Sequence, residues 1–301
     1  MTATIGIIGA GAIGQAVATT LVASGITDRL LLSSRTVMQA QALTDDTNDM
    51  RASTGSRTVA SAHRPEDVTE APAIILAIRE RFTNNNATDI RMAGAHANAR
   101  AVLDLGRRLR GYTGTVLIVT NPVDLMTRLF AEASGCQRVY GIGSNLDTAR
   151  YRLLLGAWLG VPADQVRGHV IGEHGDSAVV CASTTTVGGR PAAVPVRDMR
   201  TALGRRPGSI TSGVGRTRSG PAGAVLATLR LALGHSDGTT ELSTEWNGHW
   251  LGVPVHFEQT RPRVLMPPLD AVETELFARS GRKLETAYRN LPITRTKENS
   301  R

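Results

Sequence analysis

This sequence predicts an α/β fold, a doubly wound parallel sheet joined to a second α+β unit. Three observations carry that prediction. The apolar run over residues 5–8 leads into Gly9-Ala10-Gly11-Ala12-Ile13-Gly14 and then into a helix-forming stretch, 15–23. Strand, glycine turn and helix in that order open a nucleotide-binding βαβ unit. Further short apolar runs at 30–32, 74–78 and 116–119 lack polar alternation, as strands buried on both faces do. Helix-like stretches at 15–23, 37–46 and 93–109 separate these strands, which is the alternation that builds a parallel sheet by crossovers.

The second half reads differently. It has a long helix over 146–159, strand-like segments at 166–171 and 177–182, and a helix over 224–233. Strand signals return at 251–257, and an amphipathic helix follows over 270–291. The stretch 197–223 is rich in Arg, Gly and Ser and is expected to be an irregular connection. The expected division is a dinucleotide-binding domain at 1–144, a second domain at 145–293 and a frayed polar tail at 294–301.

Composition narrows the function classes. With 301 residues and 41% hydrophobic content, the chain can bury a large core. Cys136 and Cys181 are too few for a disulfide framework, no apolar run approaches membrane-spanning length, and no basic segment precedes the first strand. A cytoplasmic protein without a membrane partner is expected. The net charge of +8 raises the question of nucleic acid. The cations are dispersed and aromatics are only 4%, so there is neither a basic helix nor a stacking platform, and no nucleic-acid partner is expected.

The glycine turn points to a dinucleotide. Gly9 permits the tight turn, Gly11 lets the backbone approach a pyrophosphate, and Gly14 allows close helix packing. Ala12 and Ile13 open the helix whose N-terminus would face the anion. NAD-binding proteins carry an acid at the end of the second strand; this chain has Ser33-Ser34-Arg35-Thr36. Two hydroxyls and a guanidinium make a fork for a ribose 2′-phosphate, so NADP(H) is expected in preference to NAD(H). The alternative is an Arg35 that is simply solvated, with NAD(H) as the cofactor.

Gly172-Glu173-His174-Gly175-Asp176 places a histidine on a short loop, and Asp147 and Arg150 lie upstream at i,i+3 on one helix. An imidazole, an acid and a guanidinium are the groups that move a proton beside an anionic substrate. No cluster has metal-ligand spacing, and no metal is expected.

These residues, with 25–28, Thr120-Asn121-Pro122-Val123-Asp124, 146–150 and 251–255, occur in an order that resembles the lactate/malate dehydrogenases, nicotinamide-dependent 2-hydroxy acid dehydrogenases. The resemblance runs from residue 5 to about 291. It implies that His174 donates a proton to the substrate ketone, that Asp147 orients its ring, and that Arg150 grips the substrate carboxylate. It also implies that Asn121 sits beside nicotinamide and substrate, that Arg91 closes over the carbonyl, and that Ser219 lies on the pocket wall. A homo-oligomer, dimer or tetramer, is implied as well.

The chain departs from the family over 79–91, where the loop is longer and lacks Pro-Gly. Counting back from Arg91 puts Asn85 at the specificity position; counting forward from the strand puts Phe82 or Arg81 there. Arg81, with Arg216 and Arg218 flanking Ser219, would favour a multiply anionic substrate. The expected activity is NADPH-dependent reduction of a 2-oxo acid or related ketone, in specialised metabolism. Ordinary NAD-dependent lactate or malate dehydrogenation and a non-catalytic dinucleotide-binding protein stand as alternatives.

Overall fold

Strands that are apolar on both faces must lie between layers of helices, and that is where the chain puts them. The computed structural model describes residues 3–82 and 92–292. In chain order the first elements are β1 (Thr4–Ile8), α1 (Ala12–Ser24), β2 (Arg29–Ser33), α2 (Val37–Thr54), β3 (Val59–Ala62), β4 (Ala73–Leu76), α3 (Ala95–Arg108), β5 (Thr115–Ile118), α4 (Val123–Ser134) and β6 (Val139–Ile142). The six strands pair in the order β3-β2-β1-β4-β5-β6, all parallel.

The strand order reverses between β1 and β4, and parallel sheets bind ligands at such a reversal, outside the carboxyl ends of the strands. Gly9 begins the turn at that point. Its φ is +122°, and a Cβ there would lie 2.4 Å from the Ala77 carbonyl oxygen, while a Cβ on Gly14 would lie 1.7 Å from the Gly9 carbonyl oxygen. Both positions therefore exclude every side chain, and this lets α1 start directly above the sheet.

The remaining elements are α5 (Ser144–Leu159), β7 (Val166–Arg167), β8 (Val170–Gly172), β9 (Ala178–Val180), β10 (Thr186–Val187), β11 (Arg190–Pro191), α6 (Val196–Val214), α7 (Ser219–Ala232), β12 (Gly238–Trp246), β13 (His249–Glu258), β14 (Arg261–Val264) and α8 (Ala271–Arg289). β12 joins β6 antiparallel and continues the same sheet through β13, β8 and β9, with β14 sharing with β8 the edge of β13 that faces away from β12. The short strands β7, β10 and β11 form a separate antiparallel sheet. One main core follows the long sheet, with Phe130 and Phe257 fully buried; a smaller one gathers around Tyr151 and Leu155 of α5.

The irregular connection expected at 197–223 is corrected: α6 and the start of α7 occupy most of it. Gly204, Pro207, Gly208 and Gly213 all oppose a helix, Pro207 by about 3 kcal/mol and each glycine by about 1 kcal/mol. Packing overrides them at one end. Met199, 2% exposed, and Leu203 sit against Tyr151 and Leu155, while α6 has no fully buried residue beyond Met199. Helix α2 also runs past the expected 46 to Thr54. α8 starts where expected, with Asp270 and Glu273 forming a reciprocal capping box. Asn85, Arg91 and the tail 294–301 lie outside the described residues.

Restoring the missing amide with Pro207→Ala is expected to slow hydrogen exchange across residues 204–211 by about a hundredfold, the equivalent of roughly 3 kcal/mol of local helix stability. Mass-spectrometric exchange measures this, and unchanged rates would show that this half of α6 is not held as a helix.

Candidate active site and dinucleotide groove

A groove of about 760 Å³ lies outside the carboxyl ends of β1, β2 and β4, with Gly9, Gly11, Ser34, Arg35, Ile78 and Glu80 among its walls. Gly11 is the N-cap of α1 and no side chain caps it. A Cβ there would meet nothing within 4 Å, so the first-turn amides of α1 face open groove. Uncapped amides at a helix N-terminus over a glycine floor fit a diphosphate. Ala12 and Ile13 form the half-buried first turn behind them.

The expected phosphate fork is corrected at one prong. Ser33 is the last residue of β2 and is 1% exposed, inside the sheet rather than on the groove wall. Ser34 does line the groove, where its hydroxyl accepts from the Ala10 amide at 3.3 Å and donates to Gln39 Oε1 at 3.1 Å. Arg35 lines it too, with Nη2 donating to Glu80 Oε1 at 2.8 Å. Nothing local in the sequence signals that pair, because its members stand 45 residues apart.

The His174 cluster is assembled by α5. Asp147 lies in its first turn, where the helix dipole favours an ionised carboxylate. Asp147 Oδ2 is 2.6 Å from His174 Nδ1, and Arg150 Nη1 is 3.3 Å from Asp147 Oδ1. All three side chains are at least nine-tenths buried. A carboxylate on Nδ1 assigns a proton to that nitrogen and leaves Nε2 to face a reactant. Gly143, just before α5, keeps this approach open, since a Cβ there would lie 2.5 Å from the imidazole ring.

Two further contacts, which sequence reasoning missed, hold the His174 loop. Asp124, in the first turn of α4, accepts the His174 amide at 2.9 Å. Burial pushes the Asp124 carboxyl from 3.8 up to about 7, against the His174 N–H, which favours the ionised form. Glu173, 3% exposed, accepts from the Ser177 amide and hydroxyl and takes Lys283 Nζ at 2.8 Å on each oxygen. Its own amide donates to Ser280 Oγ at 2.7 Å. Ser280 and Lys283 belong to α8, so the C-terminal helix clamps the loop. The available signal was compositional, because Lys283 and Lys297 are the only lysines beside abundant arginine.

The other expected site residues are partly gathered. Asn121 is exposed at the end of β5, its carbonyl accepting Asn98 Nδ2 at 2.7 Å, and it lies three residues before Asp124. Ser219 is the exposed first residue of α7; the next residue, Gly220, packs on Leu146 of α5. Arg81 is exposed on the groove wall. Arg79 stacks over Phe82 at 4.6 Å, and burial followed by the charge of Arg216 lowers its guanidinium pKa. Among the described residues no group of three or more His, Cys, Asp or Glu side chains could hold a metal ion.

Comparison with known proteins places this geometry. A family profile described as the lactate/malate dehydrogenase NAD binding domain matches residues 3–143, and one for the alpha/beta C-terminal domain matches 144–206. An L-lactate dehydrogenase of Allorhizobium ampelinum is 31% identical over 96% of this chain and 99% of its own length. The chain belongs to the lactate/malate dehydrogenase family. An L-lactate dehydrogenase of Staphylococcus epidermidis is 27% identical over 94% of this chain and 95% of that one. The crystal structure of Cryptosporidium parvum malate dehydrogenase superposes with a TM-score of 0.87 at 25% identity, covering 97% of this chain and 99% of the other. Members of the family are oxidoreductases acting on CH–OH groups, and this chain is such an enzyme.

Lys283→Met leaves a buried carboxylate without its ammonium and is expected to destabilise the fold by about 1–3 kcal/mol, read by thermal melting at neutral pH. An unchanged melting temperature would show the clamp to be energetically idle. The raised pKa of Asp124 gives a second expectation. Between pH 4 and 7 the folded state holds a proton there that the unfolded state releases, so this group's contribution to stability falls as pH rises through that window and is constant above it. Asp124→Asn, which can still accept the His174 amide, should therefore gain melting temperature over the parent between pH 4 and 7. A difference independent of pH would contradict the raised pKa.

Proposed function

We propose that the protein catalyses reversible hydride exchange between a nicotinamide dinucleotide and a 2-hydroxy acid, the L-lactate or L-malate type of reaction. The observation that carries this reading is the buried His174–Asp147 contact at 2.6 Å with Arg150 one helical turn away. The bound cofactor supplies the hydride. In the reduction direction, protonated His174 donates from Nε2 to the ketone oxygen while Asp147 stabilises the charged ring and fixes its orientation. His174, Asp147 and Arg150 then carry a net charge of +1 in a dry pocket, which a single substrate carboxylate neutralises by pairing with Arg150. Asn121 and Ser219 are assigned to the substrate side, and Arg91 and Asn85 remain assigned to the loop that closes over it.

The dinucleotide lies along the groove, with its diphosphate on the α1 amides. NAD(H) is the first choice, in keeping with the relatives. NADP(H) is a second reading favoured by one observation: β2 ends without a carboxylate and is followed by Ser34 and Arg35 on the groove wall. The proposal includes a homo-oligomer, for which exposed Leu153, Trp158 and Leu159 on α5 offer apolar surface, and a reducing compartment, with which two buried free cysteines are consistent.

A panel of 2-oxo acids, including pyruvate and oxaloacetate, with cofactor absorbance as readout, tests the reaction. His174→Asn should lower turnover by about 10²–10⁴-fold while dinucleotide binding persists, and Arg150→Gln should chiefly raise KM for the acid. Parental turnover in the histidine variant would remove the mechanism.

A further inference from the structure

The Arg35–Glu80 pair has no part in the proton site, yet it sits in the groove. Arg35 follows β2 and Glu80 follows β4; β1 lies between those strands and ends in the glycine turn. The register sets Ile8 beside both Ser33 and Leu76, so an ion pair joining the two flanking segments crosses the groove at the glycine turn. Arg35 Nη2 reaches Glu80 Oε1 at 2.8 Å and the Arg79 carbonyl oxygen at 3.5 Å.

The main chain of Glu80 is pinned. Its amide donates to Asn98 Oδ1 at 2.8 Å, and Asn98, 3% exposed on α3, is itself fastened through Nδ2 to the Asn121 carbonyl. Glu80 is thus carried by the same framework that ends β5. Its side chain is one-third exposed and that of Arg35 is half exposed, so a ligand in the groove can reach both.

We propose that Glu80 selects the cofactor: it supplies, from the β4 side, the carboxylate that β2 lacks, and turns the groove towards a dinucleotide with a free ribose 2′-hydroxyl. This rests on the nicotinamide-dinucleotide reading above. A 2′-hydroxyl can donate to a carboxylate. A 2′-phosphate cannot, and to reach Arg35 it has to displace a like-charged group already bonded there. Ser34 and Arg35 alone point towards the phosphate, and the partner across the groove reverses that preference.

The test is equilibrium binding of NAD⁺, NADH, NADP⁺ and NADPH to the full-length chain by calorimetry, using the parent, Glu80→Gln, Arg35→Gln and the double variant. The parent should bind NAD(H) more tightly than NADP(H). Glu80→Gln keeps the side-chain length and a hydrogen bond to Arg35, and it should shift the affinity ratio towards NADP(H) on the order of tenfold. In the Arg35→Gln background the same change should shift the ratio far less. A ratio unmoved by Glu80→Gln while both dinucleotides still bind overturns this inference alone, as does a parent that already prefers NADP(H). A parent that binds neither dinucleotide overturns the proposed function with it.

Discussion

The hydrogen bond between Asp147 and the His174 ring is the constraint on which the rest of the site depends. It joins the first turn of α5 to the loop between β8 and β9 at 2.6 Å, beside the Thr148–Val170 and Ser144–Gly172 hydrogen bonds that hold α5 on β8. Burying that carboxylate is tolerable because Arg150 and the ring together offer it positive charge and donors, and the helix N-terminus adds a favourable potential. Geometry and electrostatics are therefore the same fact here. The contact that positions the ring also assigns the proton on Nδ1.

Such a contact survives only if the loop cannot drift, and the fold restrains it from two sides. From α4, Asp124 holds the His174 amide; from α8, Lys283 and Ser280 hold Glu173 on both its side chain and its main chain. Side chains at residues 124, 147 and 283 thus converge on the Glu173–His174 loop. The long sheet makes this convergence possible, because β12 joins β6 and so places β13, β8 and the loop beside the carboxyl ends of the parallel strands.

Much of the fold and the chemistry was legible in the sequence for local reasons. The apolar runs without alternation read as buried parallel strands, and the glycine turn read as the start of α1. The i,i+3 spacing of Asp147 and Arg150 put both on one helix face. What was illegible was decided by burial or by partners far along the chain. Ser33 and Ser34 look alike as letters, yet one is inside the strand and the other faces the groove. Residues 197–214 read as irregular because Gly204, Pro207, Gly208 and Gly213 weaken a helix, and packing of Met199 and Leu203 on α5 outweighed them. Strands β3, β6 and β12 and helix α4 passed unnoticed: Ser61 and Gly141 interrupt the apolar runs of the first two strands, and β12 carries many polar residues.

By itself the sequence determined the α/β class, the glycine turn, the shared helix of Asp147 and Arg150 and the family, since each is written in spacing over a few residues or in motif order. Only the tertiary structure decided which of those residues are paired and with what charge. Arg35 acquires Glu80, Glu173 acquires Lys283, and Asp124 becomes a buried carboxyl with a raised pKa. The physical reason is that desolvation and Coulomb interactions depend on distance in space. Separations of 45, 110 and 50 residues between partners leave no periodic trace along the chain.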